Sequence, residues 1–242
     1  ISLRLVGSEM CIRDSDIAED LARRDFTINA MAIEPMNGLL GEESPSGKLI
    51  DLDGRGVKDL QSGLLRTVGQ AEERIAEDGL RMVRAFRFLD QGEGGLREFD
   101  PELSIAISSN IPMLSKVSRE RIWNELRRIL SCSNSMLIVE SMVEHGIFEE
   151  ILPGISINTN TSMSNDYIVN LALICRDEVS GGAEMSDKIA SLLRLSRKES
   201  SALSSLHECR EIDLDPSVES VRRFSATMSD TCLLYTSDAA DD

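Results

Sequence analysis

The sequence is short of aromatic residues, of histidine, of paired cysteines and of long apolar runs. Aromatic residues make up 4% of the 242 residues, and there are two histidines. The five cysteines form no Cys-x-x-Cys pair, so neither a disulfide scaffold nor a cysteine zinc site is indicated. No apolar run reaches the roughly 20 residues that span a membrane, and we find no secretory signal. The sequence therefore predicts a cytoplasmic globular protein without a membrane partner.

Positive charge is also scarce. The chain has 26 basic and 42 acidic residues, which gives a formal net charge of −16. A protein that coats nucleic acid in general needs a basic surface, so the balance argues against that function. A small basic cleft within an acidic body remains compatible with these numbers.

The two ends of the chain differ from the rest and point to a common origin. Residues 232–237 can be encoded by one strand of a short DNA element, and residues 9–14 by its other strand in a shifted frame. That element resembles a transposon-type sequencing adapter. We therefore interpret residues 1–15 and 232–242 as adapter-like artefacts to be left out of fold reasoning. We expect residues 16–231 to be an interior piece of a longer reading frame.

The spacing of apolar residues predicts a small strand-containing segment followed by helices. Residues 25–33 alternate apolar and polar positions, which predicts a strand, and short strands are expected at 48–52 and 64–68. Gly63 is expected to end a short helix over 57–63. Later helices are predicted at 71–90, from Pro101 onward, and at 118–130, 133–146, 166–177, 184–195, 197–210 and 216–228. The fold class is therefore α+β, with the strands near the start.

The segment EDGLRMVRAFRF, residues 77–88, places three arginines behind one aspartate. At about 100° per residue, the apolar side chains share one arc, formed by Met82, Val83, Phe86 and Leu89. Charged side chains occupy the other side, namely Asp78, Arg81 and Arg84, with Arg87 at its margin. By spacing alone, this charged face is an exposed row of ion pairs or a cleft that binds a nucleoside triphosphate, since arginine binds phosphate bidentately.

Three blocks, in this order and spacing, resemble a known family. They are EDLARRDFTINAMAI (19–33), LIDLDGRGVKDLQSGLLRTVG (49–69) and ERIAEDGLRMVRAFRF (73–88). They resemble the class II tRNA nucleotidyltransferases, the CCA-adding enzymes of the bacterial poly(A) polymerase superfamily. The match covers residues 16–155 well, and residues 156–231 by helical character alone.

The resemblance implies an architecture and a reaction. It implies the C-terminal part of a nucleotidyltransferase palm head over 16–70, a helical neck over 71–146 and a helical RNA-binding body over 147–231. In this family the 3′-hydroxyl of tRNA attacks the α-phosphate of CTP or ATP and releases pyrophosphate. The implied partners are therefore the tRNA 3′ end, CTP and ATP.

The resemblance also implies roles for six residues. Arg24 matches the second arginine of the family's Arg-Arg-Asp motif, near the sugar and phosphates of the nucleotide, with Asp25 beside it. Asp78 and Arg81 match the motif that reads the base edge of C or A without a template. Arg84 and Arg87 match the arginines that line the triphosphate site.

The chain departs from the family where the metal-binding residues are expected. The family begins with a Gly-Gly loop and an Asp-x-Asp pair that holds Mg²⁺, and neither occurs before Asp16. The letters DLD at 51–53 follow the Arg-Arg-Asp block instead of preceding it, so we interpret them as a loop between head strands. The sequence thus predicts no catalytic or metal-binding residue in this chain, Mg²⁺ being held by missing residues. It also predicts that the chain as given is inactive.

Other functions stay open on the sequence. A bacterial poly(A) polymerase shares the same blocks but adds A alone to RNA tails. An enzyme that adds CC alone or A alone is also compatible. A non-catalytic module that binds nucleotide or RNA would fit this chain if it were complete.

Overall fold

A computed structural model of the chain describes residues 17–35, 47–52, 54–175 and 182–210. The predicted helix over 216–228 and both adapter-like ends lie outside these residues. Within them, four short strands and eleven α-helices occur, and the α+β class is confirmed. No helix among the described residues is long and apolar enough to cross a membrane.

The elements follow one another in a simple order. The strands are β1 (Met31–Pro35), β2 (Gly47–Asp51), β3 (Leu64–Leu65) and β4 (Glu98–Phe99). The helices are α1 (Ile17–Ala22), α2 (Gly56–Ser62), α3 (Ala71–Glu77), α4 (Leu80–Arg87), α5 (Pro101–Asn110), α6 (Arg119–Leu130), α7 (Ser135–Glu144), α8 (Ile147–Ile151), α9 (Tyr167–Ile174), α10 (Gly182–Leu193) and α11 (Arg197–Arg210). Short 3₁₀ turns occupy Thr27–Asn29, Gly92–Gly94 and Ile111–Lys116.

The chain divides into two compact units. Among the described residues, the strand-containing unit comprises those up to Glu77 together with Arg97–Ala106, and the helical unit comprises Asp78–Leu96 and those from Ile107 onward. The division into head, neck and body that the resemblance implies stays a prediction.

Two small sheets organise the strand-containing unit. β1 pairs antiparallel with β2, with Ile33 opposite Leu49. β3 pairs parallel with β4, with Leu65 opposite Phe99. Gly63 has φ of 69° and ends α2, as predicted, because this left-handed conformation favours glycine.

A polar network lies in the interior of the same unit. The Thr27 hydroxyl donates to Oδ2 of Asp59 at 2.7 Å. The Arg66 guanidinium lies 3.5 Å from Asp59 Oδ2 and 3.1 Å from Asp100 Oδ1. Both carboxylates are buried. The pairing with Arg66 offsets the cost of removing two negative charges from water, and it joins α2, β3 and the residue before α5.

This network explains why the predicted strand over 25–33 is only partly right. Phe26 makes a single bridge to Thr67, and residues 27–29 then form a 3₁₀ turn before β1 begins at Met31. The amide of Thr27 donates to the carbonyl of Arg66 at 3.0 Å while its hydroxyl reaches Asp59. These long-range bonds stabilise the 3₁₀ turn, although the alternation of apolar and polar residues over 25–33 favours a strand.

The predicted single helix over 71–90 is wrong, because it is interrupted at Asp78 and Gly79. Oδ1 of Asp78 accepts from the amide of Leu80, the first residue of α4, at 3.1 Å. A Cβ on Gly79 would lie 2.9 Å from the carbonyl oxygen of Met113, so the backbone of the 3₁₀ turn approaches closely there. The break thus depends on a contact 34 residues away, which the local pattern does not contain.

α6 is the central helix of the other unit. It packs against α4, α7, α9 and α10. The hydroxyl of Ser118 accepts from the amide of Arg121 at 3.4 Å, which confirms the predicted start of the helix. The predicted apolar stripe is buried throughout, namely Ile122, Leu126, Ile129 and Leu130.

Glu199 ties three helices together. Its Oε2 accepts from the amide of Ser196 at 2.9 Å and its own amide donates back to Ser196 Oγ at 3.3 Å, which is a capping box at the start of α11. Its Oε1 faces Trp123 Nε1 at 3.1 Å and the Tyr167 hydroxyl at 3.4 Å. Burial alone would raise the pKa of Glu199, but the hydrogen bonds from Ser196, Trp123 and Tyr167 outweigh it and hold the pKa below 4.5.

We expect the contribution of Glu199 to stability to disappear in acid. A carboxyl whose pKa is lower in the folded protein stabilises it above the unfolded pKa, near 4.5, and loses this effect as the pH falls through the folded value. Glu199→Gln should therefore cost about 1–3 kcal/mol at pH 7 and progressively less below pH 4.5.

Urea unfolding, followed through the fluorescence of the single tryptophan, Trp123, measures this difference. Glu208→Gln is the control, because Glu208 is exposed on the same helix. A cost of Glu199→Gln that stays constant from pH 7 to pH 3 would contradict the assignment.

Candidate functional site: an arginine row around a buried glutamate

The charged row predicted from the sequence lies on α4 and the residues just before it. The predicted apolar arc is buried, with Met82, Val83 and Phe86 at 0% exposure and Leu89 at 2%. Arg81, Arg84 and Arg87 are all half-buried. The helix therefore packs by one face and places its guanidiniums at the border between the interior and water, where an anion can reach them.

Asp78, the first residue of the row, has two partners. Its Oδ1 accepts from the amide of Leu80, the first residue of α4, and its Oδ2 lies 2.7 Å from Nη2 of Arg121 on α6. The side chains of Asp78 and Arg121 are 33% and 53% exposed. An ion pair this exposed is worth about 0.2–1 kcal/mol. A ligand that offers Asp78 better hydrogen bonds can therefore displace Arg121.

Arg84 and Arg87 converge on one buried carboxylate, Glu125 of α6. Nε of Arg87 lies 2.6 Å from Oε2 of Glu125, and Nη1 of Arg84 lies 3.3 Å from Oε1. Arg128, one turn further along α6, lies 3.6 Å from the same Oε1. The side chain of Glu125 is 7% exposed, whereas those of Arg87, Arg84 and Arg128 are 20%, 29% and 48% exposed. We call these four residues the arginine–glutamate cluster.

The arginine–glutamate cluster carries more positive than negative charge. Within these four side chains, three guanidiniums face one carboxylate in a partly buried place. Burial lowers the pKa of Arg87, and the carboxylate of Glu125 opposes this effect. The ring of Phe88 lies under Arg87, 4.2 Å from its Cζ, which adds a cation–π contact. A phosphate group would suit these guanidiniums, because it accepts paired hydrogen bonds from guanidinium.

Arg24 and Asp25 lie in the strand-containing unit, whereas the other four predicted site residues lie in the helical unit. Arg24 lies two residues after the end of α1, and its Nη2 lies 2.7 Å from Oδ2 of Asp20 within that helix. Both side chains of this pair are 53% exposed. The carbonyl of Asp25 accepts from the amide of Val68 at 3.2 Å. Arg24 is thus accessible to a ligand, and its partner is exchangeable.

The described residues do not fit a magnesium site. They contain no group of three or more His, Cys, Asp or Glu side chains that could hold a metal ion. Asp51, from the DLD letters, accepts from the amides of Gly56 at 3.2 Å and Val57 at 3.0 Å, and so caps α2. Its neighbour Asp53 lies outside the described residues.

Two residues that hold the row were not predicted from the sequence. Glu125 and Arg121 on α6 contact Arg84, Arg87 and Asp78. A third residue that was not predicted, Arg74 on α3, donates to the backbone carbonyl of Arg24. A signal for Glu125 was present, because it lies three residues after Ile122 and four before Ile129, on the buried stripe. A carboxylate at such a position needs cationic partners.

Two family models match the chain. "Poly A polymerase head domain" matches residues 6–66, and "Probable RNA and SrmB- binding site of polymerase A" matches residues 98–158. Together they cover about half of the chain. The first match contains Arg24 and Asp25, the second contains Arg121 and Glu125, and the row from Asp78 to Arg87 lies between them.

Curated proteins similar to this chain include CCA-adding enzymes of two Bacillus species. The chain is 41% identical to that of Bacillus licheniformis over 139 residues, which is 57% of this chain and 31% of that protein. It is 36% identical to that of Bacillus subtilis over 165 residues, or 68% of this chain and 38% of that protein. The chain thus spans about a third of the length of these curated relatives.

Solved structures similar to this chain include a CCA-adding enzyme and a tRNA-processing enzyme. The Bacillus stearothermophilus CCA-adding enzyme in complex with CTP matches with a TM-score of 0.69 and 26% identity, over 90% of this chain and 53% of that one. A tRNA-processing enzyme in an apo form matches with a TM-score of 0.67 at 20% identity, over 91% of this chain and 63% of that one, and this likeness shows the fold. The chain therefore contains regions that match the poly(A) polymerase head and RNA-binding family models, and it is similar in sequence and fold to CCA-adding enzymes.

Proposed function

We propose that the protein to which this chain belongs adds C and A nucleotides to the 3′ end of tRNA, with CTP and ATP as substrates. The observation that carries the proposal is the arginine–glutamate cluster, in which three guanidiniums converge on one carboxylate and can donate paired hydrogen bonds to a triphosphate. The relatives named above are CCA-adding enzymes, and one solved neighbour is bound to CTP. These names favour CCA addition over the poly(A) polymerase alternative.

The proposed roles follow the order of the residues along the chain. We assign Arg24 to the sugar and phosphates of the nucleotide, with Asp25 beside it. Asp78 and Arg81 would read the base edge, because a carboxylate accepts and a guanidinium donates hydrogen bonds there. Arg84 and Arg87 would bind the triphosphate. On binding, the phosphates or the base of the nucleotide would either displace the protein group that each of these side chains contacts, or bind the side chain together with that group.

The proposal assigns no residue of this chain to the Mg²⁺ that the family uses. Mg²⁺ in such enzymes activates the attacking hydroxyl and stabilises the leaving pyrophosphate. Since the described residues do not fit a magnesium site, we derive no step through the metal. The tRNA body has a proposed location as well, because the match to the RNA-binding family model includes α6, where Arg127 and Arg128 are exposed.

An extension assay tests the function. The complete reading frame of the gene is expressed and incubated with Mg²⁺ and a tRNA that lacks its CCA end. We expect CTP alone to add cytidines, and CTP with ATP to complete the CCA end. Long tails of A from ATP alone would identify a poly(A) polymerase, and binding of nucleotide or RNA without any extension would identify a non-catalytic module.

The 242-residue chain is assayed beside the complete protein. We expect it to bind CTP without turnover. Addition of nucleotide to tRNA by this chain would overturn the prediction of inactivity.

A further inference from the structure

The backbone at Arg23, Arg24 and Asp25 is held from a single stretch of chain. Nη2 of Arg74 donates to the carbonyl of Arg23 at 2.7 Å and to that of Arg24 at 2.8 Å. The amide of Val68 donates to the carbonyl of Asp25 at 3.2 Å. Three consecutive peptide carbonyls are therefore bonded by groups from residues 68–74, some 40 to 50 positions later in the sequence.

Arg74 is well placed for this contact. It lies on α3, its side chain is 14% exposed, and its Nη1 pairs with Oε2 of Glu77 at 2.8 Å. A planar guanidinium presents two hydrogens on one Nη at fixed angles, so that a single nitrogen bonds both carbonyls. A lysine ammonium carries the same charge on a flexible stem without this fixed geometry. The contact thus depends on the guanidinium shape as well as on its charge.

The side chain of Arg24 contrasts with its backbone. Its guanidinium is 53% exposed and pairs with Asp20, a contact that water and salt weaken. When an anion replaces Asp20, the direction of Arg24 is set by the orientation of its own peptide units. The carbonyl of Arg24 is one of the two that Arg74 fixes.

We propose that Arg74 is a positioning residue for Arg24. It fixes the two peptide units around Arg24 so that the exposed guanidinium is directed at the phosphates before the nucleotide arrives. Preorganisation of this kind reduces the ordering that binding must otherwise supply. The proposal rests on the proposed function, since it takes the Arg24 ligand to be the nucleotide.

A double-mutant cycle tests the proposal. Equilibrium binding of CTP to the 242-residue chain is measured for the wild type, Arg74→Lys, Arg24→Ala and the double variant. We expect Arg74→Lys to weaken CTP binding about fivefold when Arg24 is present and less than twofold when it is alanine, because residues that act through one another are not additive. Equal effects in both backgrounds, or no effect in either, would overturn the positioning role.

A second variant and a control separate positioning from simple loss of stability. Arg74→Gln keeps a nitrogen with two hydrogens but removes the charge, and it is carried through the same cycle. Arg55→Lys is the matched control, because Arg55 is exposed in the same unit and is expected to leave CTP binding unchanged. Thermal unfolding is recorded for every variant. If Arg74 only stabilises the fold, its substitution should weaken CTP binding equally whether position 24 is arginine or alanine, and should lower the melting temperature to a matching extent.

Failure of the proposed function and failure of the positioning role of Arg74 give different experimental results. If the folded wild-type chain does not bind CTP, and the complete protein adds no nucleotide to tRNA, the proposed function is wrong and the positioning role falls with it. If the wild type binds CTP and the cycle is additive, the positioning role alone is wrong.

Discussion

Replacement of Glu125 by glutamine is expected to lower the free energy of unfolding by about 3 kcal/mol. The side chain keeps its size, but Arg84, Arg87 and Arg128 lose the one carboxylate they share. Arg87 is the most affected, because burial already lowers its pKa and Glu125 is the main group that opposes this. Removing one member of a buried ion pair costs more than the pair contributes, since the remaining charge stays buried without compensation.

The measurement uses Trp123, which lies on α6 two residues before Glu125 and is the single tryptophan of the chain. Its fluorescence follows urea unfolding of the helix that carries the cluster. Glu120→Gln is the matched control, because Glu120 is exposed on the same helix, and a change within about 0.5 kcal/mol is expected there. Equal effects of the two substitutions would contradict the interpretation of Glu125 as the anchor of the row.

Features set by neighbouring residues could be predicted from the sequence. The apolar arc that contains Met82 and Phe86, the start of α6 after Ser118 and the end of α2 at Gly63 all depend on spacing or capping within a few residues. Pro101 is the first residue of α5, as its fixed φ favours. Periodicity and capping act locally, so a single sequence contains their signals.

Features set by distant residues could not be predicted in the same way. The break between α3 and α4 depends on the approach of Met113 to Gly79, and the 3₁₀ turn at Thr27 depends on Asp59. Nothing in the local pattern around either segment indicates its partner. The strands predicted at 25–33 and 64–68 were too long, whereas the one predicted at 48–52 differs from β2 by one residue at each end.

The candidate site shows the same division. The sequence identified the row from Asp78 to Arg87 by residue type, and its roles by resemblance. It did not identify Glu125 or Arg121, although both contact that row at 2.6–2.7 Å. These partners matter for function, because they decide which ion pairs a ligand can replace. A ligand can displace Arg121 from the exposed pair with Asp78. Arg87 keeps its contact with the buried Glu125 and offers its other guanidinium hydrogens to the ligand.

Asp78 is therefore the residue at which a substitution should change specificity most. A well-formed pair of hydrogen bonds to a base edge contributes about 1–3 kcal/mol of discrimination. We expect Asp78→Asn and Asp78→Ala in the complete protein to reduce the preference for CTP over UTP, and for ATP over GTP, by about 10- to 100-fold. The measurement is kcat/KM for each nucleotide on a tRNA that lacks its CCA end.

The two substitutions at Asp78 separate its two contacts. Asparagine keeps an oxygen for the amide of Leu80, whereas alanine loses this hydrogen bond, which is worth about 1 kcal/mol. Both lose the carboxylate that pairs with Arg121. If Asp78 reads the base, both variants lose discrimination and alanine loses more stability than asparagine. Glu73→Gln, at an exposed position on α3, is expected to change neither. Wild-type discrimination in Asp78→Asn would show that the carboxylate serves the helix and Arg121 without contacting the base.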